Sequence, residues 1–344
     1  MKVAIVNDTA MAVEILRRIV TSVPDYQLVW VAADGAQAVE KCARERPDVI
    51  LMDMIMPVMD GVEATRRIMT ETPCAILIVT SAPDGNAGKV FEAMGAGALD
   101  VVGTPVLGAG GDGEGREILL QKLRTIGRLI GNGRMTPAAP VKPAPARAAS
   151  LPPLLAIGAS TGGPAALAVL LGALPADFPA AIVIVQHVDE QFTDSFVDWL
   201  AGQTALPVRR ARAGDIPKAG QVLVAGGTEH LVLRPHGRLD YSAEPRDYAY
   251  QPSVSVFFEN LARGWDGVAV GVLLTGMGRD GAQGLLAMRQ AGFHTIAQDE
   301  ASCAVYGMPR AAAQLDAAVE VLPLDAIAQA VCHALQDARQ GRQA

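Results

Sequence analysis

Three polar motifs beyond residue 157 contain the residue types that make a hydroxyl group nucleophilic. Ser160 lies in a Gly-Ala-Ser-Thr-Gly-Gly turn, His187 follows Gln186, and Asp280 lies in a Thr-Gly-Met-Gly-Arg-Asp-Gly loop. A serine attacks esters or amides at neutral pH when a histidine accepts its proton and a carboxylate orients that histidine. Because the order serine, histidine, aspartate matches none of the three familiar hydrolase orders, we do not expect an ordinary α/β-hydrolase.

Each of these motifs follows an apolar run of the kind that forms buried parallel strands, namely Leu154–Ile157, Ala181–Val185 and Val268–Leu274. The carboxyl ends of parallel strands meet at one edge of a sheet, so we expect the three motifs to lie close together there. The Ala- and Leu-rich segment Ala165–Leu174 follows the glycine turn after Ser160. This pattern predicts strand, tight turn and helix, with free N–H groups of the helix placed to bind an oxyanion.

Residue patterns alone leave other interpretations open. Ser160 also suits a helix cap, and its glycines suit a phosphate cradle with Asp189-Glu190 placed for a ribose, although the turn is not G-x-G-x-x-G. Asp299 follows another strand-like run and is the second choice to Asp280 as the carboxylate of the site. His294 is weaker than His187 because it falls within its strand-like run rather than after it.

The first third of the chain alternates strand-like runs with amphipathic stretches. The predicted strands are Val3–Val6, Leu28–Ala32, Val49–Met52, Ala75–Val79 and Ala98–Val102. Five such units predict a parallel sheet covered by helices on both faces. The polar residues at the carboxyl ends of these strands are Asn7, Asp8, Asp53, Thr80 and Thr104.

Residues 131–153 are dominated by Ala, Pro, Gly and basic residues. This composition cannot build a core and predicts an exposed, semi-extended linker. We therefore expect a first domain over residues 1–130 and a second over residues 154–340.

The overall composition excludes several classes of protein. Half of the 344 residues are hydrophobic, only 4% are aromatic, and the formal net charge is −7. Every apolar run is shorter than the ~20 residues of a membrane span, and no basic stripe suits nucleic acid. The four cysteines lie far apart without a CxxC pair, which disfavours a disulfide framework or a zinc site. We expect a cytoplasmic protein with no nucleic-acid partner and no direct membrane insertion.

The segment Leu51–Gly61, with the sequence LMDMIMPVMDG, resembles the phospho-acceptor segment of two-component response regulators. The resemblance implies that Asp53 is phosphorylated and that Thr80 binds the phosphoryl oxygen. It also implies that Asp8, Asp53 and the carbonyl group of Ile55 hold Mg²⁺. Clustered oxygen ligands are what this hard cation prefers.

The chain departs from that family at two positions. Asn7 replaces one residue of the usual acidic pair, and Thr104 replaces the lysine that precedes the proline after the fifth strand. The first change weakens metal binding, and the second removes a charged contact to the phosphoryl group. Lys89 is the nearest lysine in sequence, but it belongs to the following helix and is not expected to substitute.

The combination of a receiver, a Pro/Ala linker and the three motifs resembles the CheB family of response-regulator protein-glutamate methylesterases. Two further segments look similar to that family, Gln251–Val254 and Gln298–Cys303, the latter followed by Tyr-Gly-Met-Pro. The resemblance implies two doubly wound parallel-sheet α/β domains, a flavodoxin-like receiver and a Rossmann-like methylesterase. The segments Val6–Asp8, Ala12–Arg18 and Phe91–Gly95 resemble the WspF branch, and this resemblance extends to Asn7 and Thr104.

The resemblance also assigns roles at the site. Ser160, His187 and Asp280 form the catalytic triad, and the N–H groups of Thr161 and Met277 stabilise the oxyanion. The esterase needs no cofactor. Its substrates are γ-glutamyl methyl esters of methyl-accepting chemoreceptors, with glutamine deamidation as a second reaction, and its phosphodonor is a CheA-type histidine kinase. On this interpretation the unphosphorylated receiver covers the esterase edge and phosphorylation opens it.

Two other functions compete with this interpretation. One is a non-catalytic adaptor, in which a receiver controls a dead hydrolase domain that binds a receptor or a kinase. The other is a hydrolase of small-molecule esters, which is less favoured because nothing between the motifs indicates a deep aromatic pocket.

Overall fold

A computed structural model describes residues 1–81, 83–105, 112–131, 151–246, 248 and 250–340. The chain divides near residue 134 into two compact units, each with its own parallel sheet. Most of the predicted linker, residues 132–150, lies outside the described residues. At its described ends, Gly131 belongs to a helix of the first unit and Leu151 packs against the core of the second. The two units therefore extend slightly into the predicted linker, by one residue at Gly131 and up to Leu151 at its other end.

Within its described residues, the first unit alternates strictly between five strands and five helices. In chain order they are β1 (Lys2–Val6), α1 (Ala10–Thr21), β2 (Gln27–Ala32), α2 (Gly35–Arg44), β3 (Val49–Met52), α3 (Gly61–Glu71), β4 (Ala75–Thr80), α4 (Pro83–Gly95), β5 (Asp100–Gly103) and α5 (Asp112–Gly131). The strands form one parallel sheet in the order β2-β1-β3-β4-β5. All four residues of β3 are buried, which is why this strand is a continuous apolar run.

Short polar side chains set the helix starts in this unit. The Asp34 carboxylate accepts a hydrogen bond from the Gln37 N–H and caps α2, and the Asp60 carboxylate accepts one from the Glu63 N–H and caps α3. Each bond satisfies an N–H that has no partner inside its helix. The two caps fix the residues at which α2 and α3 begin. They therefore also fix where the preceding loops at the carboxyl edge end, and one of these is the loop that follows Asp53.

The second unit is built on a seven-stranded parallel sheet and an antiparallel hairpin. Its elements are β6 (Leu154–Ala159), α6 (Gly163–Gly172), β7 (Ala181–Gln186), α7 (Glu190–Ala201), β8 (Val208–Arg210), β9 (Val222–Val224), β10 (His230–Arg234), β11 (Arg238–Ser242), α8 (Val254–Gly264), β12 (Ala269–Leu273), α9 (Ala282–Gln290), β13 (His294–Gln298), α10 (Met308–Gln314), β14 (Glu320–Leu322) and α11 (Leu324–Gln340). The sheet order is β14-β13-β12-β6-β7-β9-β8, and β10 pairs with β11 as the hairpin. The prediction of two doubly wound parallel-sheet domains is confirmed.

The middle of the second sheet is fully covered. Every residue of β6 and β7 is buried, and the large side chains of Phe257, Phe258 and Trp265 are at most 1% exposed in the layer beside them. β6 lies directly between β7 and β12, so the three strands that precede the polar motifs are neighbours. Within the described residues, no helix combines the length and the apolarity that crossing a membrane requires.

Candidate active site

Ser160 stands at the turn between β6 and α6. The turn is tight because Gly162 has a φ of +75°, and the Gly163 N–H donates to the Ser160 carbonyl oxygen at 2.7 Å. A Cβ atom on Gly163 would lie 2.0 Å from the side-chain oxygen of Gln186, so the helix passes too close to β7 for any side chain. Ser160 itself is buried, at 7% exposure, at the carboxyl edge of the sheet.

His187 stands at the end of the neighbouring strand β7. Ala159 pairs with Gln186 across the two strands, and the His187 N–H donates to the Ala159 carbonyl oxygen at 3.1 Å. The Gln186 side-chain amide then donates to the carbonyl oxygens of Ser160 and His187, at 2.9 and 3.0 Å. Strand register and this buried glutamine therefore hold Ser160 and His187 at adjacent strand ends.

Asp280 follows β12, on the other side of β6, and contacts the histidine. His187 Nε2 lies 2.8 Å from Asp280 Oδ2, and both side chains are less than a tenth exposed. The carboxylate also accepts hydrogen bonds from the Ser253 hydroxyl and from three backbone N–H groups, those of Val254, Ser255 and Gly281, at 2.7–3.0 Å. The start of α8 thus encloses the carboxylate with donors.

These donors decide the charge of Asp280. Burial alone would raise the pKa of this carboxyl group, but the His187 imidazole and the hydrogen bonds from Ser255 and Ser253 hold the pKa well below its usual range. The carboxylate is ionised and accepts only, so His187 donates through Nε2. His187 Nδ1 is buried and has no hydrogen-bond partner within the described part of the chain. Nδ1 therefore carries the lone pair that can accept a proton.

An aromatic ring covers the imidazole of His187. The ring of Tyr250 stacks on it with centroids 4.1 Å apart and planes 12° apart. A flat contact of this kind restricts rotation of the imidazole. Composition and spacing gave no signal for this tyrosine.

Two backbone N–H groups at the site are suited to bind a negatively charged oxygen. Within the described residues, the N–H groups of Thr161 and Met277 have no hydrogen-bond acceptor, whereas the N–H of Ser160 donates to the Thr275 carbonyl oxygen at 3.1 Å. The loop that carries Met277 is close to the serine, because a Cβ on Gly276 would lie 2.8 Å from the Ser160 Cβ. An oxyanion site needs such unpartnered donors.

The structure separates the other candidates from this cluster. The Asp299 carboxylate accepts from the N–H and the hydroxyl of Ser302, at 2.9 and 2.6 Å, and not from His187. His294 opens β13 at the opposite end of the strands and pairs with Glu320 at 2.7 Å. Of the two carboxylates left open by the residue patterns, Asp280 is the one that contacts His187.

The carboxyl edge of the first sheet brings Asn7 and Asp53 together. The Asn7 amide donates to Asp53 Oδ2 at 2.9 Å, and the Met54 N–H donates to Oδ1 at 2.7 Å. Burial raises the pKa of Asp53, the N–H groups of Met54 and Ile55 lower it, and the nearby Asp8 carboxylate raises it further. Two carboxylates that repel each other suit a cation placed between them.

The remaining receiver candidates surround this pair. Thr80 is 2% exposed at the end of β4, and its carbonyl oxygen accepts from the Thr104 N–H at 2.8 Å. Lys89 lies on α4, where its Nζ is 2.9 Å from an oxygen of Asp60, the cap of α3. Lys89 therefore does not replace the lysine that is missing at Thr104. The oxygen set of Asp8, Asp53 and Ile55 fits Mg²⁺ in its chemistry.

Comparison with known proteins decides the family. The model of the CheB methylesterase domain matches residues 155–331, and that of the response regulator receiver domain matches residues 3–106. The chain belongs to the CheB methylesterase family. A Pseudomonas putida protein-glutamate methylesterase/protein-glutamine glutaminase is 61% identical over 329 residues, which cover 95% of this chain and 97% of the relative. A relative of the same description from Burkholderia thailandensis is 55% identical over 99% of this chain and 100% of its own length.

The match to a solved structure agrees with the family. The methylesterase catalytic domain of Thermotoga maritima CheB covers 55% of this chain and 99% of that domain, with 32% sequence identity and a TM-score of 0.50. The predicted membership of the CheB family is confirmed, and the finer placement in the WspF branch stays a prediction.

Residue patterns gave no role to most of the residues that support Ser160, His187 and Asp280. Ser253 had one available signal, since a serine directly before an apolar stretch is typical of a helix cap, and it does cap α8 through the Val256 N–H. Gln298 is buried and accepts from the Thr275 N–H at 2.8 Å, which no spacing rule indicates. Such supports depend on contacts between distant strands and become visible only in the fold.

Proposed function

We propose that this chain is a protein-glutamate methylesterase whose catalytic serine is Ser160, with His187 and Asp280 as its base and orienting carboxylate. The observation that carries the proposal is the 2.8 Å contact between His187 Nε2 and Asp280. It leaves Nδ1 of a buried imidazole as the proton acceptor at the strand end next to Ser160. The names of the relatives support the substrate class, since they are described as acting on protein glutamate and glutamine.

The mechanism follows from these positions. The Ser160 hydroxyl attacks the side-chain carbonyl of a γ-glutamyl methyl ester, and His187 Nδ1 takes its proton. The N–H groups of Thr161 and Met277 stabilise the oxyanion, and removing one such donor typically costs ~10²–10³ in rate. The imidazolium returns the proton to the leaving methoxy group, and methanol departs. Water, deprotonated by His187, then hydrolyses the acyl-enzyme to the free glutamate and restores Ser160.

Glutamine deamidation uses the same groups. A glutaminyl side chain gives the same acyl-enzyme, and the proton from His187 makes the leaving group ammonia instead of methanol. The relatives are described as glutaminases as well as methylesterases, which supports this second reaction. No metal or cofactor is needed in either step, because the proton acceptor and the oxyanion donors are supplied by the chain.

We also propose that phosphorylation of Asp53 controls the esterase. Asp8, Asp53 and the Ile55 carbonyl would hold Mg²⁺, and the Thr80 hydroxyl would bind a phosphoryl oxygen. When bound, the cation neutralises charge that develops during phosphoryl transfer. Membership of the family supports a CheA-type histidine kinase as the phosphodonor and methyl-accepting chemoreceptors as the substrates. These partners in turn support a cytoplasmic location for the proposed reactions.

The test of the proposed function is methanol release from methylated receptor fragments. We expect release with the wild-type chain, loss of release with Ser160→Ala, and no change with Ser22→Ala, which removes a hydroxyl from the receiver. A Ser160→Ala variant that retains substantial activity would show that the nucleophile is assigned wrongly. A folded wild-type chain that binds receptor fragments but releases no methanol would favour the non-catalytic adaptor.

A further inference from the structure

The second unit contains a fully buried histidine with two hydrogen bonds and no place in the mechanism above. His230 opens β10 and is fully buried, with 0% exposure. Its Nε2 lies 2.9 Å from the Pro245 carbonyl oxygen, and its Nδ1 lies 3.1 Å from the Ser253 nitrogen. A carbonyl only accepts and an N–H only donates, so Nε2 carries the proton and Nδ1 accepts. Both ring nitrogens are therefore used.

The Ser253 bond connects His230 to the carboxylate of the site. The Ser253 hydroxyl donates to Asp280 Oδ1 at 2.8 Å and caps α8 by accepting from the Val256 N–H at 3.3 Å. The next two N–H groups of the helix, those of Val254 and Ser255, also bind Asp280. His230 thus accepts the backbone N–H of Ser253, and the three donors to Asp280 on this segment start at that same residue.

The Pro245 bond and two aromatic contacts connect His230 to the base of the site. Tyr248 and Tyr250 both lie in sequence between Pro245 and Ser253, the two residues that His230 binds. The Tyr248 ring packs edge-on against His230, with centroids 5.9 Å apart, and the Tyr250 ring stacks on His187 at 4.1 Å. The His230 imidazole therefore hydrogen-bonds to one residue before Tyr250 in sequence and to one residue after it. Tyr250 is the ring that covers His187.

We propose that His230 is a positioning residue for the esterase site, which holds Tyr250 against His187 and the Ser253 hydroxyl against Asp280. The inference rests on the proposed function of that site. It differs from a general packing role because both of its hydrogen bonds lead to residues that contact the pair His187–Asp280. Residues that orient the ligands of metal sites change affinity or activity by about 10–100-fold when they are removed, and we expect the same range for a residue that orients this pair.

The test compares two replacements of His230 in the full-length chain. His230→Asn keeps an acceptor close to the position of Nδ1 and loses the donor, whereas His230→Leu loses both. We expect kcat for methanol release to fall by roughly 10–100-fold in His230→Leu and by less in His230→Asn, with KM changed by under about threefold. Trp265→Phe, which perturbs a buried ring in the same core, controls for loss of stability alone.

A spectroscopic measurement separates this inference from the proposed function. Nitrogen-15 NMR of the His187 ring reports its tautomer and the proton shared with Asp280, and it needs no substrate. We expect the His187 signals to change in His230→Leu and to stay unchanged in Trp265→Phe. If wild-type chain releases no methanol but the His187 signals respond to His230→Leu, the proposed function falls and the positioning role stands.

Two outcomes would overturn the inference. One is a folded His230→Leu variant with unchanged His187 signals and a kcat within twofold of wild type. If neither His230 variant folds, the half-buried Tyr250 decides instead. Tyr250→Phe keeps the stacked ring and Tyr250→Leu removes it, so we expect only the leucine variant to change the His187 signals and to lower kcat. Equal behaviour of the two Tyr250 variants is the second outcome that contradicts the proposal.

Discussion

The replacement Asp280→Asn tests the electrostatics of the site most directly, because the structure determines how the amide must orient. The Oδ2 position receives the Val254 N–H and His187 Nε2, and the Oδ1 position receives the N–H groups of Ser255 and Gly281 and the Ser253 hydroxyl. An amide NH₂ at Oδ2 opposes one backbone N–H, that of Val254, which then has no acceptor. At Oδ1 it opposes two backbone N–H groups: Ser255 loses its acceptor, and Gly281 keeps only its bond to the Ser255 hydroxyl oxygen at 2.7 Å. Because a buried donor that loses its acceptor costs about 1–3 kcal/mol and opposing two donors is less favourable than opposing one, the NH₂ group should occupy the Oδ2 position.

That orientation reverses the tautomer of His187. An NH₂ group beside Nε2 requires Nε2 to accept, so the ring proton moves to Nδ1, the nitrogen that should take the proton of Ser160. The variant also loses the negative charge that stabilises the imidazolium. In a serine-histidine-aspartate site, the same kind of replacement lowers kcat by about 10⁴-fold, which corresponds to ~5.5 kcal/mol of transition-state stabilisation.

The assay is methanol release from a methylated receptor fragment, paired with urea unfolding of the same preparation. We expect the rate to fall by about 10⁴-fold. The free energy of unfolding should fall by about 1–3 kcal/mol, since one N–H loses its acceptor. A folded Asp280→Asn variant whose rate lies within tenfold of wild type would refute the reasoning, because the histidine would then work in either tautomer.

The pH dependence of stability checks the charge of Asp280 independently. The pKa of this carboxyl group is lower in the folded chain than in the unfolded chain, where it is ~3.9. The ionised group therefore stabilises the fold above about pH 4, and this contribution is lost as the pH falls. We expect the stability difference between wild type and Asp280→Asn to be largest near neutral pH and to shrink in acid. A difference that stays constant with pH contradicts the assigned charge.

Three further predictions concern packing and the receiver. Gly276→Ala places a Cβ 2.3 Å from Met308 Sδ and close to Ser160, so it should lower both methanol release and stability, the latter by about 1–3 kcal/mol; unchanged urea unfolding and rates would contradict this packing. Asn7→Asp adds a carboxylate and removes the hydrogen bond from the Asn7 amide to Asp53, so calorimetry should find Mg²⁺ binding tighter by roughly tenfold. Equal affinity would show that position 7 does not face the cation. Trp265→Ala should cost about 3–5 kcal/mol in urea unfolding, and a loss below 1 kcal/mol would mean that the core relaxes around the gap.

The fold could be predicted from sequence because parallel strands buried on both faces leave a strong pattern. β3, β6 and β7 are continuous apolar runs bounded by polar or glycine residues, and their positions were predicted within a residue or two. The rule that such loops meet at the carboxyl edge then predicted that Ser160, His187 and Asp280 lie close together at one edge of the sheet. Strand order, which puts β6 between β7 and β12, came only from the structure.

The contacts around the site could not be predicted in the same way. Position alone left both Asp280 and Asp299 as candidates, and the resemblance to a family was needed to choose before any contact was known. Tyr250 and His230 act through ring contacts and hydrogen bonds to residues that no periodicity connects to them. Residue patterns describe each strand and helix, but not the neighbours that each side chain meets across the fold.

The position of β6 between β7 and β12 has a consequence for how the enzyme becomes active during folding. Ser160 and His187 follow strands joined by a single crossover, but the Asp280 carboxylate follows β12 and comes 93 residues after His187 in the chain. Pairings between such distant segments close large loops and form slowly compared with local ones. Recovery of esterase activity during refolding should therefore trail the formation of helices and of the β6–β7 pair. Activity is thus a sensitive reporter of the long-range docking of β12 in this domain.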